Sequence, residues 1–177
     1  MKKIFVVILS LCLSISLLGF TSGKITAVSL STPQADMKNE AEIRSLVKSF
    51  GGKLQSVSLL APKDMMKKAM EESYGNYVTR QLLTKWINNP AGAPGRMTSS
   101  PWPDRIDIKS VKMVSKSEYT VKGEIIEVTS AEMKNNGVFA RRPITLTVTR
   151  SNNKWLINKV VLGAVETKKS LSYLNTK

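Results

Sequence analysis

Histidine is absent from this chain, and its one cysteine, Cys12, lies inside an apolar run near the N-terminus. Without histidine there is no imidazole to act as a general base or to bind zinc. With Cys12 confined to that run, the rest of the chain has no thiolate nucleophile, no thiolate metal site and no disulfide framework. No metal site and no cofactor is therefore expected. Acidic side chains are scarce as well, 13 against 27 Lys and Arg, for a net charge of +14 at pH 7. Chemistry based on carboxylate, Lys or Tyr stays open. Internal repeats and low-complexity tracts are absent, and 177 residues suffice for one domain with a real core.

The N-terminus has the marks of an export signal. Lys2 and Lys3 form a positive start, Ile4 to Phe20 an apolar run, and Thr21, Ser22 and Gly23 supply small residues for cleavage. Residues 1–23 are read as a signal peptide, and the protein as exported, to the cell envelope or beyond. The run is also near the lower limit for spanning a bilayer, so an uncleaved membrane anchor is the alternative. Cys12 is poorly placed for a lipoprotein signal, because it follows Leu11 within the apolar run. Lys2 and Lys3 aside, 25 basic residues remain against 13 acidic ones. An exported chain so charged is drawn to polyanions. Anionic cell-wall polymers and membrane headgroups are the expected partners, a protein partner stays open, and no nucleic acid is expected. The plain alternative is that the lysines serve solubility.

Residues 24–38, rich in Ser and Thr, are read as a flexible tether. Ile43, Leu46, Val47, Phe50, Leu54 and Val57 then recur at helical spacing, predicting a helix from near Asn39 that bends or ends at Gly51-Gly52. Met66, Ala69, Met70, Ser73, Tyr74 and Tyr77 trace a second apolar stripe after Pro62. Thr79 is placed to cap a short third helix carrying Leu82, Leu83, Trp86 and Ile87. The stretch from Asn89 to Arg105 holds Pro90, Pro94, Pro101 and Pro103 with Gly92 and Gly95, so neither helix nor strand runs through it. It is read as an ordered loop that docks Trp102 against the helices.

Beyond it the apolar period becomes two. Ile106 and Ile108 alternate, then Val111 and Met113 shift phase as at a bulge. The pattern from Tyr119 to Val128 predicts a change of phase near Gly123, Asn135-Asn136-Gly137 signals a hairpin, and Ile144, Leu146 and Val148 alternate with threonines. Trp155 to Leu162 is the last strand and the tail from Glu166 is polar. The expected fold is α+β: N-terminal helices packed on a curved four-stranded antiparallel meander over residues 39–165, with a polar tail at 166–177.

This pattern resembles the NTF2-like, or cystatin-like, superfamily, most of all at Tyr77-Val-Thr-Arg-Gln-Leu-Leu83 and Lys154-Trp-Leu-Ile157. The segment Ser99-Ser-Pro-Trp-Pro-Asp-Arg-Ile106 resembles small exported proteins of Gram-positive, clostridia-like bacteria, a likeness that implies no function. The superfamily resemblance implies a conical pocket between helices and sheet, serving isomerases and dehydratases in some members and binding or accessory modules in others. The enzymes use pocket Asp or His. Here histidine is missing and most carboxylates fall at polar positions, so no catalytic residue is nominated. A fold alone licenses no function.

Tyr77, Trp86, Arg96, Trp102, Arg105 and Tyr119 are the candidate ligand-binding residues: aromatic walls with two arginines for an anion. The competing reading makes the aromatics core and Arg105 the ion-pair partner of Asp104. The functional expectation is a non-catalytic extracytoplasmic binding or accessory module of the cell envelope. Its alternative is a small isomerase- or hydrolase-type enzyme working from carboxylates in that pocket.

Overall fold

Helix α1 runs from Pro33 to Gly51, with proline fixing the first helical φ and Asp36 in the first turn where the helix dipole favours negative charge. This is a computed structural model, and it describes residues 33–135 and 137–167. The proposed signal at 1–23, the tether up to residue 32, Asn136 and the tail from residue 168 lie outside the described residues. The helix begins before the expected Asn39, so residues 33–38 are helical rather than tether. Its end is where the glycine pair stands. A Cβ on Gly51 would meet the backbone nitrogen of Ile106 at 2.7 Å, so only glycine lets the helix end press this closely on the sheet.

After a short 3-10 turn at Leu54–Ser56 come α2, Lys63–Tyr74, and α3, Arg80–Asn88. Thr79 caps α3 as expected, its hydroxyl accepting from the Leu82 N–H. The link between α2 and α3 lies along the sheet edge. Val78 forms a parallel bridge with Ile157, closed by Thr79 N–H to Ile157 O and Ile157 N–H to Tyr77 O, both 2.9 Å.

The sheet is a meander in the order β1-β2-β3-β4, all neighbours antiparallel. Strand β1, Trp102–Ser115, starts four residues earlier than the apolar alternation suggests. Pro103 is tolerated because β1 is an edge strand, where a missing N–H breaks no ladder. Strand β2 is Glu118–Val128 and β3 is Ala140–Ser151. The phase change expected near Gly123 of β2 belongs to its neighbour: the β1–β2 register slips at three places along β1, while the β2–β3 register runs unbroken. Ile126 and Val128 are buried on the reverse face of an unbroken strand.

Between β2 and β3 the structure has a short helix α4, Ser130–Lys134, in place of the hairpin expected from the Asn-Gly signal. Thr129 caps it, and the Gly137 N–H returns to Glu132 O at 2.8 Å, the long bond that closes many helix C-termini. Asn135 and Gly137 here close a helix. The β3–β4 connection is a true two-residue hairpin: Asn152 and Asn153 both have positive φ, 48° and 62°, as a type I′ turn requires. Strand β4, Lys154–Leu162, is followed by a fifth strand, Glu166–Thr167, at the start of the stretch read as a polar tail; it pairs with Ala140 and Arg141 of β3.

One face of the sheet carries the helices. Ile43, Val47, Phe50, Met70, Tyr74 and Trp86 meet Val121, Ile144, Leu146, Val148 and Ile157 in a single buried cluster. The α+β layout, with helices on a curved antiparallel meander, is the one the sequence patterning predicts.

Candidate functional site

The space between helices and sheet is occupied by aromatic rings. Phe50 lies 5.1 Å from Tyr74 and stacks on Trp86 at 6.4 Å, with Tyr74 edge-on to Trp86 at 5.8 Å and Tyr77 at 6.3 Å from Phe50. Such tilted contacts add about 0.5–1.5 kcal/mol per pair beyond area burial. The Tyr74 hydroxyl donates to Pro94 O at 2.7 Å, and burial drives its pKa far above the usual phenol range.

The six candidate residues are dispersed through this architecture. Tyr77 is half-buried at the rim of the aromatic group, and Trp86 is inside it. Tyr119 is buried at the other end, edge-on to Trp155 at 5.3 Å. Its hydroxyl faces the first turns of α1; burial and the negative Asp36 raise its pKa, and Asn39 offsets part of this. Arg96 is half-buried in the central loop, where its backbone bonds to Val57 O and Leu59 N–H, and its Nε is shut from solvent without a hydrogen-bond partner among the described residues. Arg105 is exposed and held by Asp104 at 2.8 Å and Asp107 at 3.0 Å, so its charge is spent within β1. Trp102 is half-exposed and outside the core cluster, which corrects the expectation that it docks against the helices. As the first residue of an edge strand, opposite Val128, it lies beyond the helical cover.

Arg141 and Arg142 lie on β3, an interior strand. Arg141 pairs with Glu124 at 2.9 Å, and the Nε of Arg142 donates to Gly163 O at 3.0 Å. Glu124 takes Lys109 as well, at 3.1 Å. Burial alone would raise its pKa, but these two cations hold it below the usual carboxylate range. Glu127, by contrast, has a raised pKa because burial outweighs the attraction of Arg142.

Among the described residues, three clefts can be traced beside the aromatic core. The first, about 380 Å³, opens between α3, the turn at Asn89–Gly92 and β4. Leu82, Trp86 and Val160 are its apolar lining, and Gln81, Lys85, Asn89, Asn158 and Lys159 its polar one. The second, about 440 Å³, is mainly apolar, formed by Leu59, Leu60, Pro90, Ala91, Ala93 and Met97 beside Asn89 and Arg142. The third, about 310 Å³, adjoins it at Leu59 and Pro90 and carries Lys63 and Asn88. Of the six candidates, only Trp86 lines any of these. Sequence reasoning missed Lys85, Asn89, Asn158 and Lys159. Its one available signal was the polar pair Asn158-Lys159 inside an otherwise apolar strand, which marks the bulge where Thr147 opposes Lys159 and Val148 opposes Ile157.

No protein-family model matches the chain, and no curated protein sequence matches it. Among solved structures the chain is similar to one described as an "Ntf2 like protein involved in plasmid conjugation", with 13% identity and a TM-score of 0.39. The similarity covers 72% of this chain and 49% of that one, so the chain spans about half the length of the structure it matches. The likeness concerns fold alone.

Proposed function

We propose that the protein is a non-catalytic, extracytoplasmic accessory module of the cell envelope that holds anionic wall polymer on its outer surface. The observation that carries this reading is the aromatic packing of Phe50, Tyr74 and Trp86 in the space where an NTF2-like enzyme would keep its substrate. A ligand then has the rim and the outer faces to use. The three flanking clefts are lined by Lys, Arg, Asn, Gln and apolar side chains. That lining suits an anion and, among the described residues, holds no carboxylate for proton transfer. The excess of Lys and Arg over Asp and Glu, 27 to 13, adds long-range attraction for a polyanion.

The test is co-sedimentation of the protein with purified cell walls across a salt series. The reading expects binding at low ionic strength that weakens steadily as salt is added, since attraction between exposed charges is screened over about 8 Å at physiological ionic strength. Absence of binding at low salt contradicts it.

A further inference from the structure

The geometry points to the cleft between α3 and β4 as a discrete binding site for the phosphate group of a polyol phosphate chain, presented by Lys85, Lys159, Asn89 and Asn158. The inference rests on the envelope-module reading and names the ligand chemistry and the place.

Its first support is the direction of the hydrogen bonds. Asn89 Oδ1 accepts from the Ala91 N–H, which leaves the amide NH2 of Asn89 as its free end. Asn158 Oδ1 accepts from the Thr79 hydroxyl, which itself accepts from the Leu82 N–H. Each amide oxygen thus already holds one bond, while the amide NH2 groups of both asparagines have none among the described residues. Lys85 and Lys159 are donors by nature, both exposed, and neither has an ion-pair partner among the described residues. Apart from Gln81, the polar side chains of the lining offer two amide NH2 groups and two ammonium groups, the latter carrying two positive charges. An anion with several acceptor oxygens is the complement of such a wall.

The second support is the backbone. Asn158 is the extra residue of the β4 bulge, which turns its side chain away from the strand's regular alternation. Thr79 then locks it, and Thr79 is itself held by its backbone bond to Ile157 O. Asn89 is likewise fixed, as the cap of the Pro90–Gly92 turn. Two of the four donors are thus positioned before any ligand arrives, which lowers the ordering cost of binding. The third support is size and floor. About 380 Å³ admits a phosphate with one polyol unit, whose carbon backbone can rest on Leu82, Trp86 and Val160.

The experiment titrates the protein with a soluble poly(glycerol phosphate) oligomer at moderate salt, beside wall co-sedimentation of the same samples. A Lys85→Gln, Lys159→Gln variant is compared with Lys112→Gln, Lys116→Gln, which removes the same charge from exposed positions at the β1 end of the sheet. All four side chains are exposed, and thermal melting confirms that both variants stay folded. The cleft variant is expected to lose about tenfold or more in affinity for the oligomer, because hydrogen bonds to charged groups are the strong ones. The opposite-edge variant should change by less than about twofold. Equal losses in the two variants overturn the cleft site while leaving wall binding intact. So does an oligomer that fails to bind while walls do. Cleft-dependent binding to phosphatidylglycerol vesicles in place of the oligomer overturns the polymer as ligand. If neither walls nor oligomer bind, the envelope reading fails together with the site.

Discussion

The hydroxyl of Tyr74 in α2 donates to the carbonyl oxygen of Pro94, twenty residues later, at 2.7 Å. This one bond ties the helical layer to the proline-rich loop that feeds β1. Tyr74→Phe strands a buried carbonyl and should cost about 1–3 kcal/mol, read as a lower denaturation midpoint with an unchanged denaturant slope. The same phenol sets an alkaline limit. Its pKa is raised in the folded state by burial, so above the ordinary value of 10.0 the unfolded chain releases a proton that the folded chain keeps. Stability therefore falls as pH rises past that value. An ultraviolet tyrosinate titration should show Tyr74 ionising only as the protein unfolds, and Tyr74→Phe should flatten the stability loss.

Two tryptophans should differ in how much stability they carry. Trp86, 2% exposed and ringed by Phe50 and Tyr74, should cost about 3–5 kcal/mol when replaced by alanine. Trp102, half-exposed at the start of β1, should cost no more than about 1.5 kcal/mol, half or less of what full burial of such a ring supplies. Parallel melts of Trp86→Ala and Trp102→Ala check this, and similar losses would place Trp102 in the core.

Glu124 bridges Lys109 of β1 and Arg141 of β3. Its pKa lies below the ordinary 4.5 despite burial, so it stabilises the fold above that value and the gain is lost as pH falls through the folded value. Glu124→Gln should therefore be less stable than the parent at neutral pH, and the difference should shrink below about pH 4. Chemical denaturation at a series of pH values reads it directly.

The Asn152-Asn153 turn holds both residues in the left-handed region. Asn153→Gly should be neutral or slightly stabilising, whereas Asn153→Val should cost about 1–2 kcal/mol, because a β-branched side chain is strained at positive φ. Melting temperatures of the two variants separate these outcomes.

What the sequence made legible follows its periods. Ile144, Leu146 and Val148 alternate cleanly with threonines and form the strand they predict. Thr79 and Gly51-Gly52 mark helix ends by simple capping and steric chemistry. The start of β1 was hidden, because Pro101 and Pro103 read as breakers and only an edge position excuses Pro103. The Asn-Gly signal misled, since Asn and Gly are residue types that both end helices and turn hairpins, and here Asn135 and Gly137 close α4. The candidate site suffered most. Aromatics were natural suspects but went to the core, whereas Lys85, Asn89, Asn158 and Lys159 converge only through a bulge and a sheet-edge bridge between distant parts of the chain.

The central claim is that ligand is held outside an interior already filled by aromatic rings. Amide chemical-shift mapping of the isotope-labelled protein during titration with solubilised wall polymer tests it most directly. The account predicts shifts at Gln81, Lys85, Asn89 and Asn158 to Val160, with the amides of Phe50, Tyr74, Leu146 and Ile144 unmoved. Shifts centred on Phe50, Tyr74 and Leu146 would mean that the helices part from the sheet to admit a ligand, and would contradict it.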